Sequence, residues 1–104
     1  MSDLAQVALD FCRECLGWAD VPAYDITDGV AFKFNDLNAV MAAARSWMPG
    51  KSGSVSLHCF DGELFVAVVL SDRESGVRSE PLVDPCHALM AACVEAARKL
   101  RATA

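Results

Sequence analysis

The run Val55-Ser56-Leu57-His58-Cys59-Phe60-Asp61-Gly62-Glu63-Leu64-Phe65-Val66-Ala67-Val68-Val69-Leu70 decides how this chain folds. Two β-prone segments flank Asp61-Gly62, a dipeptide that tolerates positive φ at both central positions of a type I′ turn, so the run reads as a hairpin. Its first arm, 55–60, sets Val55, Leu57 and Cys59 on one side and Ser56 and His58 on the other, as a half-exposed strand does. The second arm, 64–70, is apolar on both sides. That pattern predicts a central strand in a sheet covered at least locally on both faces.

Downstream of the hairpin, Ser71 to Ser79 forms a polar connection that turns at Ser75-Gly76, and Val77 begins a short edge strand ending at Pro81. Asp84 then caps a helix with Pro85 at its first position, where the missing N–H costs nothing. Cys86, Leu89, Cys93, Ala96 and Leu100 recur at helical spacing, Met90, Val94 and Ala97 widen the stripe, and Arg98, Lys99 and Arg101 suit the negative end of the dipole. Upstream, the loop 51–54 follows the Pro49-Gly50 break of a helix capped by Asn35 or Asp36, with Leu37, Val40, Met41, Ala44 and Met48 as its stripe. Val30-Ala31-Phe32-Lys33-Phe34 alternates as a short strand. Ser2 caps a first helix with Leu4, Val7, Ala8, Phe11 and Cys15 inward, stopped by Gly17 and Trp18. The expected fold is a single α+β domain over residues 1–104. A mainly antiparallel sheet of three to five strands has helices packed against it, in the order α-β-α-β-β-(β)-α.

Composition narrows the function. The 104 residues are 54% hydrophobic and 22% charged, which excludes a disordered chain. Fourteen acidic against nine basic residues give a net charge of −5, which argues against direct binding of nucleic acid. No apolar run reaches a membrane span and Met1-Ser2-Asp3 lacks a signal peptide's basic region, so a soluble, cytoplasmic protein is expected. The charge is uneven: residues 1–36 hold seven acidic and two basic residues, while the rest balances at seven each. Asp20, Asp25, Asp28 and Asp36 are the candidate partner-binding residues, able to steer toward a basic surface.

Chemistry-bearing motifs are few. Cys12-Arg13-Glu14-Cys15 is a C-x-x-C, but it sits in the last turn of a helix, where the dipole disfavours thiolate, and no second such motif completes a zinc site. Cys86 is the thiol best placed for acidification, in the first turn of the last helix, yet it also fits that helix's buried stripe. His58 lies on the polar side of its strand. The five cysteines read as reduced, mostly buried thiols. No nucleotide-binding, hydrolase or metalloprotease signature occurs, and Gly50-Lys51-Ser52-Gly53 lacks the upstream glycine and following helix of a phosphate loop. No cofactor is expected. A zinc-binding or cysteine-dependent protein using Cys86, His58 or Cys12 and Cys15 is the alternative to a non-enzymatic one.

Three stretches carry a resemblance: Ala8 to Trp18, ending Cys15-Leu16-Gly17-Trp18; Asp36-Leu37-Asn38-Ala39-Val40-Met41; and Pro85 to Ala97. In these the chain resembles the phage ABA sandwich domain family, with Asp84-Pro85 standing where the family opens its last helix with Thr-Pro. The resemblance implies a sheet between helix layers, a phage or prophage origin in a bacterial host cell, and no catalytic residues to carry over. The function this implies is that of an accessory protein working through a protein interface, in its concrete form an anti-CRISPR-like inhibitor with an acidic surface. A homodimer is a further structural option.

Overall fold

The computed structural model describes residues 4–18, 20, 22, 25–26, 33–48, 53–60, 62–70 and 76–103. Among these residues six elements follow in chain order: α1 (Leu4–Glu14), α2 (Leu37–Trp47), β1 (Ser54–Phe60), β2 (Leu64–Leu70), β3 (Val77–Arg78) and α3 (Pro85–Thr103). The strands form one antiparallel sheet in the order β1-β2-β3, so β2 is central, as its apolar sequence requires. The class is α+β.

Helix α3 is the hub. It packs against α1, α2, β2 and β3, and Cys86, Ala88, Leu89, Met90, Ala92, Cys93, Val94, Ala96, Ala97 and Leu100 are buried along it. Only Glu95, Arg98, Lys99, Arg101 and Ala102 are exposed among its described side chains, so the helix is apolar around most of its circumference and needs partners on several sides. Its start matches the sequence pattern. Asp84 Oδ1 accepts from the Cys86 N–H at 2.8 Å and the His87 N–H at 3.3 Å, and the Asp84 carbonyl accepts from Ala88 at 3.1 Å.

Helix α1 buries Val7, Ala8, Phe11 and Cys12, with Leu4 and Cys15 half-buried at the ends of that stripe. Gly17 takes φ of 72°, which lets the Trp18 N–H return to the Cys12 carbonyl at 3.0 Å. Asp36 caps α2 through Oδ1, 3.0 Å from the Asn38 nitrogen. Val40 and Ala44 are buried there, whereas Leu37, expected on the same stripe, is 37% exposed at the helix's first turn.

Four sequence expectations change. The strand read over Val30 to Phe34 falls mostly outside the described residues, and where it is described it is not a strand: Phe34 and Asn35 form a turn, because the Asp36 N–H bonds back to the Lys33 carbonyl at 3.1 Å. The hairpin closes on Phe60 opposite Leu64, so its connection is three residues, 61–63, rather than the two of a type I′ turn. A two-residue loop would pair Phe60 with Glu63 and slip the whole ladder by one.

Among the described residues the two-sided cover expected for β2 is also absent. Phe65, Ala67 and Val69 join the core with Val55 and Leu57, but Leu64, Val66 and Val68 are only half-buried and Leu70 is 43% exposed. Among the described residues the helices occupy one face of the sheet. Finally, the edge strand stops at Arg78 rather than Pro81. The pairing of Val68 with Arg78 gives way to a bridge between Phe65 and Leu82, which leaves three residues, 79–81, opposite two, 66–67. This is a β-bulge. Within it the Ser79 N–H donates to the Ala67 carbonyl at 2.9 Å, while the Ala67 N–H donates to Ser79 Oγ at 3.0 Å.

Candidate functional site

The acidic residues separate into two groups according to what faces them. Those of α1 lie against the basic end of α3. Arg98 holds Glu14 through its Nε at 3.0 Å and one terminal nitrogen at 2.7 Å, Arg101 also binds Glu14, and Asp10 stands 3.7 Å from Arg98. The Arg98 hydrogen bond pulls the Glu14 carboxyl below its usual range, against a smaller opposing effect of burial. On α3 itself Glu95 lies 3.7 Å from Lys99. These contacts reduce the acidic excess of residues 1–36, since helical packing returns Arg98 and Arg101 to Asp10 and Glu14.

The second group has no cation against it among the described residues. Asp20, Asp36, Glu63 and Glu80 are exposed and Asp25 is half-buried; Asp28 lies outside the described residues. Asp84, which the sequence offers only as a cap, belongs with them. The carboxylates of Asp84 and Asp36 both act on the Cys86 thiol, so both helix caps lie within electrostatic reach of it. Capping explains why an Asp stands at each position, because the carboxylate accepts the free N–H groups of a first turn and meets the positive end of the helix dipole. The sequence signal was present in Asp84-Pro85 but did not reveal that α2 starts beside it.

Burial favours the protonated thiol at Cys12, Cys15, Cys86 and Cys93. Burial pushes Cys86 up to about 11, and Asp84 and then Asp36 push the same way, so the helix N-terminus does not acidify it as its position suggested. Burial likewise holds Cys12 at about 11 and Cys93 at about 12, and drives Cys15 higher still, with Cys93 and Glu14 adding to it. Among the described residues no three His, Cys, Asp or Glu side chains stand close enough together to hold a metal ion. His58 is exposed on the open face of the sheet. Its Nε2 is 3.1 Å from Ser56 Oγ, and it lines a shallow depression of about 560 Å³ with Val66, Val68, Arg78, Ser79 and Pro81. His58 is therefore not brought together with the cysteines at positions 12, 15 and 86, which are in the core on the other side of the sheet.

No helix among the described residues is long and apolar enough to cross a membrane. The chain matches no known protein family, no curated protein and no solved structure.

Proposed function

We propose that this is a small, non-enzymatic accessory protein of the phage or prophage type, working in the cytoplasm of a bacterial host. It acts by presenting an acidic surface to a basic protein partner, and its concrete form is an inhibitor of a defence complex in the anti-CRISPR manner. The observation that carries this reading is the division of acidic residues. Among the described residues Asp10, Glu14 and Glu95 are met by arginine or lysine, whereas Asp36 and Asp84, the two helix caps that act on Cys86, have no cation against them, as Glu63 and Glu80 have none. Asp20 and Asp25, between α1 and α2 in the chain, also have no cation against them among the described residues. Unpaired like charges on a small acidic protein accelerate its encounter with a basic groove, an effect that weakens with salt.

The test uses a purified CRISPR effector ribonucleoprotein and the full chain, compared at about 50 mM and about 300 mM salt, across which a Debye length of roughly 14 Å contracts to roughly 6 Å. Binding at low salt that falls as salt rises is expected. The triple variant Asp20→Asn, Asp36→Asn, Asp84→Asn should lose it at unchanged melting temperature, because asparagine caps a helix as well as aspartate does. No binding at low salt, or equal binding by the neutral variant, overturns the reading.

A further inference from the structure

The two edges of the sheet are built differently, and the hydrogen-bond pattern shows what one of them offers. Phe65 exchanges both backbone bonds with Leu82, at 2.7 and 3.0 Å, and Ala67 directs its N–H and C=O to Ser79. The odd-numbered residues of β2 therefore point their backbone groups toward β3, and the even-numbered ones point theirs toward β1. Through the register, Ser54, Ser56, His58 and Phe60 are the residues of β1 bonded to β2. Val55, Leu57 and Cys59 turn their N–H and C=O groups the other way, to the outer edge, where nothing pairs with them among the described residues.

Natural sheets guard such an edge with charge, proline, bulges or brevity. The β3 edge has all four: two residues in length, it is followed by a bulge and carries Arg78, Glu80 and Pro81. The β1 edge has none. Ser54–Phe60 is seven residues long and contains no Lys, Arg, Asp, Glu, Pro or Gly.

We infer that β1 pairs antiparallel with β1 of a second copy across a two-fold axis at Leu57, joining two three-stranded sheets into one of six strands. The outward groups are symmetric about that residue, so Leu57 faces Leu57 of the second copy and Val55 faces Cys59, and each of the three pairs exchanges two N–H···O=C bonds. Ser56 then stands directly opposite His58 in the two closer, non-hydrogen-bonded pairs. With no charged residue on the strand, the self-pairing juxtaposes no like charges. Side-chain alternation keeps Val55 and Leu57 on the helix side in both copies, continuous with the core.

The test measures the mass of the full chain by sedimentation across concentration. A dimer of twice 11.1 kDa is expected. Register is read by mixing the single variants Ser56→Cys and His58→Cys, each in a Cys59→Ser background, with oxidised glutathione as the oxidant. The mixture should form a 56-to-58 disulfide between chains, while neither variant alone should do so. The variant Ser56→Glu with His58→Glu places carboxylates opposite one another twice and should be monomeric with an unchanged circular dichroism spectrum. A mass of 11.1 kDa at every concentration, a dimer that survives both glutamates, or cross-linking within either single variant overturns the inference. Should the glutamate variant misfold, the cross-linking mixture still decides.

Discussion

Glu14 shows how one side chain can join two distant parts of the chain. It receives Arg98 and Arg101, more than eighty residues away, and its carboxyl titrates below the usual range as a result. A depressed folded-state value means stabilisation that is complete above the unfolded-state value, near 4.3, and is lost as pH falls through the lower folded one. Glu14→Gln should therefore cost about 0.5–1 kcal/mol at neutral pH and low salt, less at high salt because both arginines are more than half exposed. The difference between wild type and variant should shrink below about pH 4. Urea titrations at neutral and acid pH measure both effects. Ser79 acts through geometry alone. Its hydroxyl accepts the Ala67 N–H and donates to the Glu80 carbonyl, 3.0 Å away in each case, inside the bulge that ends β3. Ser79→Ala leaves a buried N–H of the central strand without its acceptor. It should destabilise by about 1–3 kcal/mol in denaturant unfolding, far more than a surface serine would.

At the scale of elements, the hairpin and α3 were legible because each carries redundant signals. Alternation, two β-prone arms and Asp-Gly all point to the hairpin, while Asp84-Pro85 and the spacing from Cys86 to Leu100 all point to α3. The loop length escaped because Asp61-Gly62 is equally at home in two- and three-residue connections, and only the ladder's register separates them. Gly62 keeps its positive φ of 73° either way, with open space around the position a Cβ would take. Gly62→Ala should accordingly cost about 1–2 kcal/mol through backbone conformation alone, and Gly62→Asn less, as measured by thermal unfolding. The bulge at 79–81 was hidden for another reason. It is set by a side chain replacing a backbone acceptor, which no periodicity records. The acidic candidates were legible as charge but not as a site. Which carboxylates stay unpaired depends on where α3 delivers Arg98, Arg101 and Lys99, and on α2 beginning beside Asp84.

At the scale of the molecule, the fold is a hub with spokes. The α-carbon radius of gyration, 12.8 Å, is that of a chain of about a hundred residues around one core. Leu89 is fully buried at the middle of that core, in the helix that touches α1, α2, β2 and β3. Leu89→Ala should cost about 2–5 kcal/mol, and helix and sheet signals should still fall in one transition, since no spoke has a core of its own. Separate transitions for the hairpin and the helices would contradict this description.

The hub also follows the other described elements in chain order, and that sets a schedule for synthesis. A ribosome releases α1, α2 and the whole sheet before residues 85–103 exist outside it. During that interval Phe11, Val40, Ala67 and Val69, all buried in the finished protein, lack the helix that covers them. The nascent chain therefore passes through a stage that displays these apolar surfaces to chaperones and proteases, and their burial waits for the nineteen-residue helix to dock. A chain interrupted before that point has no hub to fold around, and the apolar surfaces it cannot hide mark it for removal.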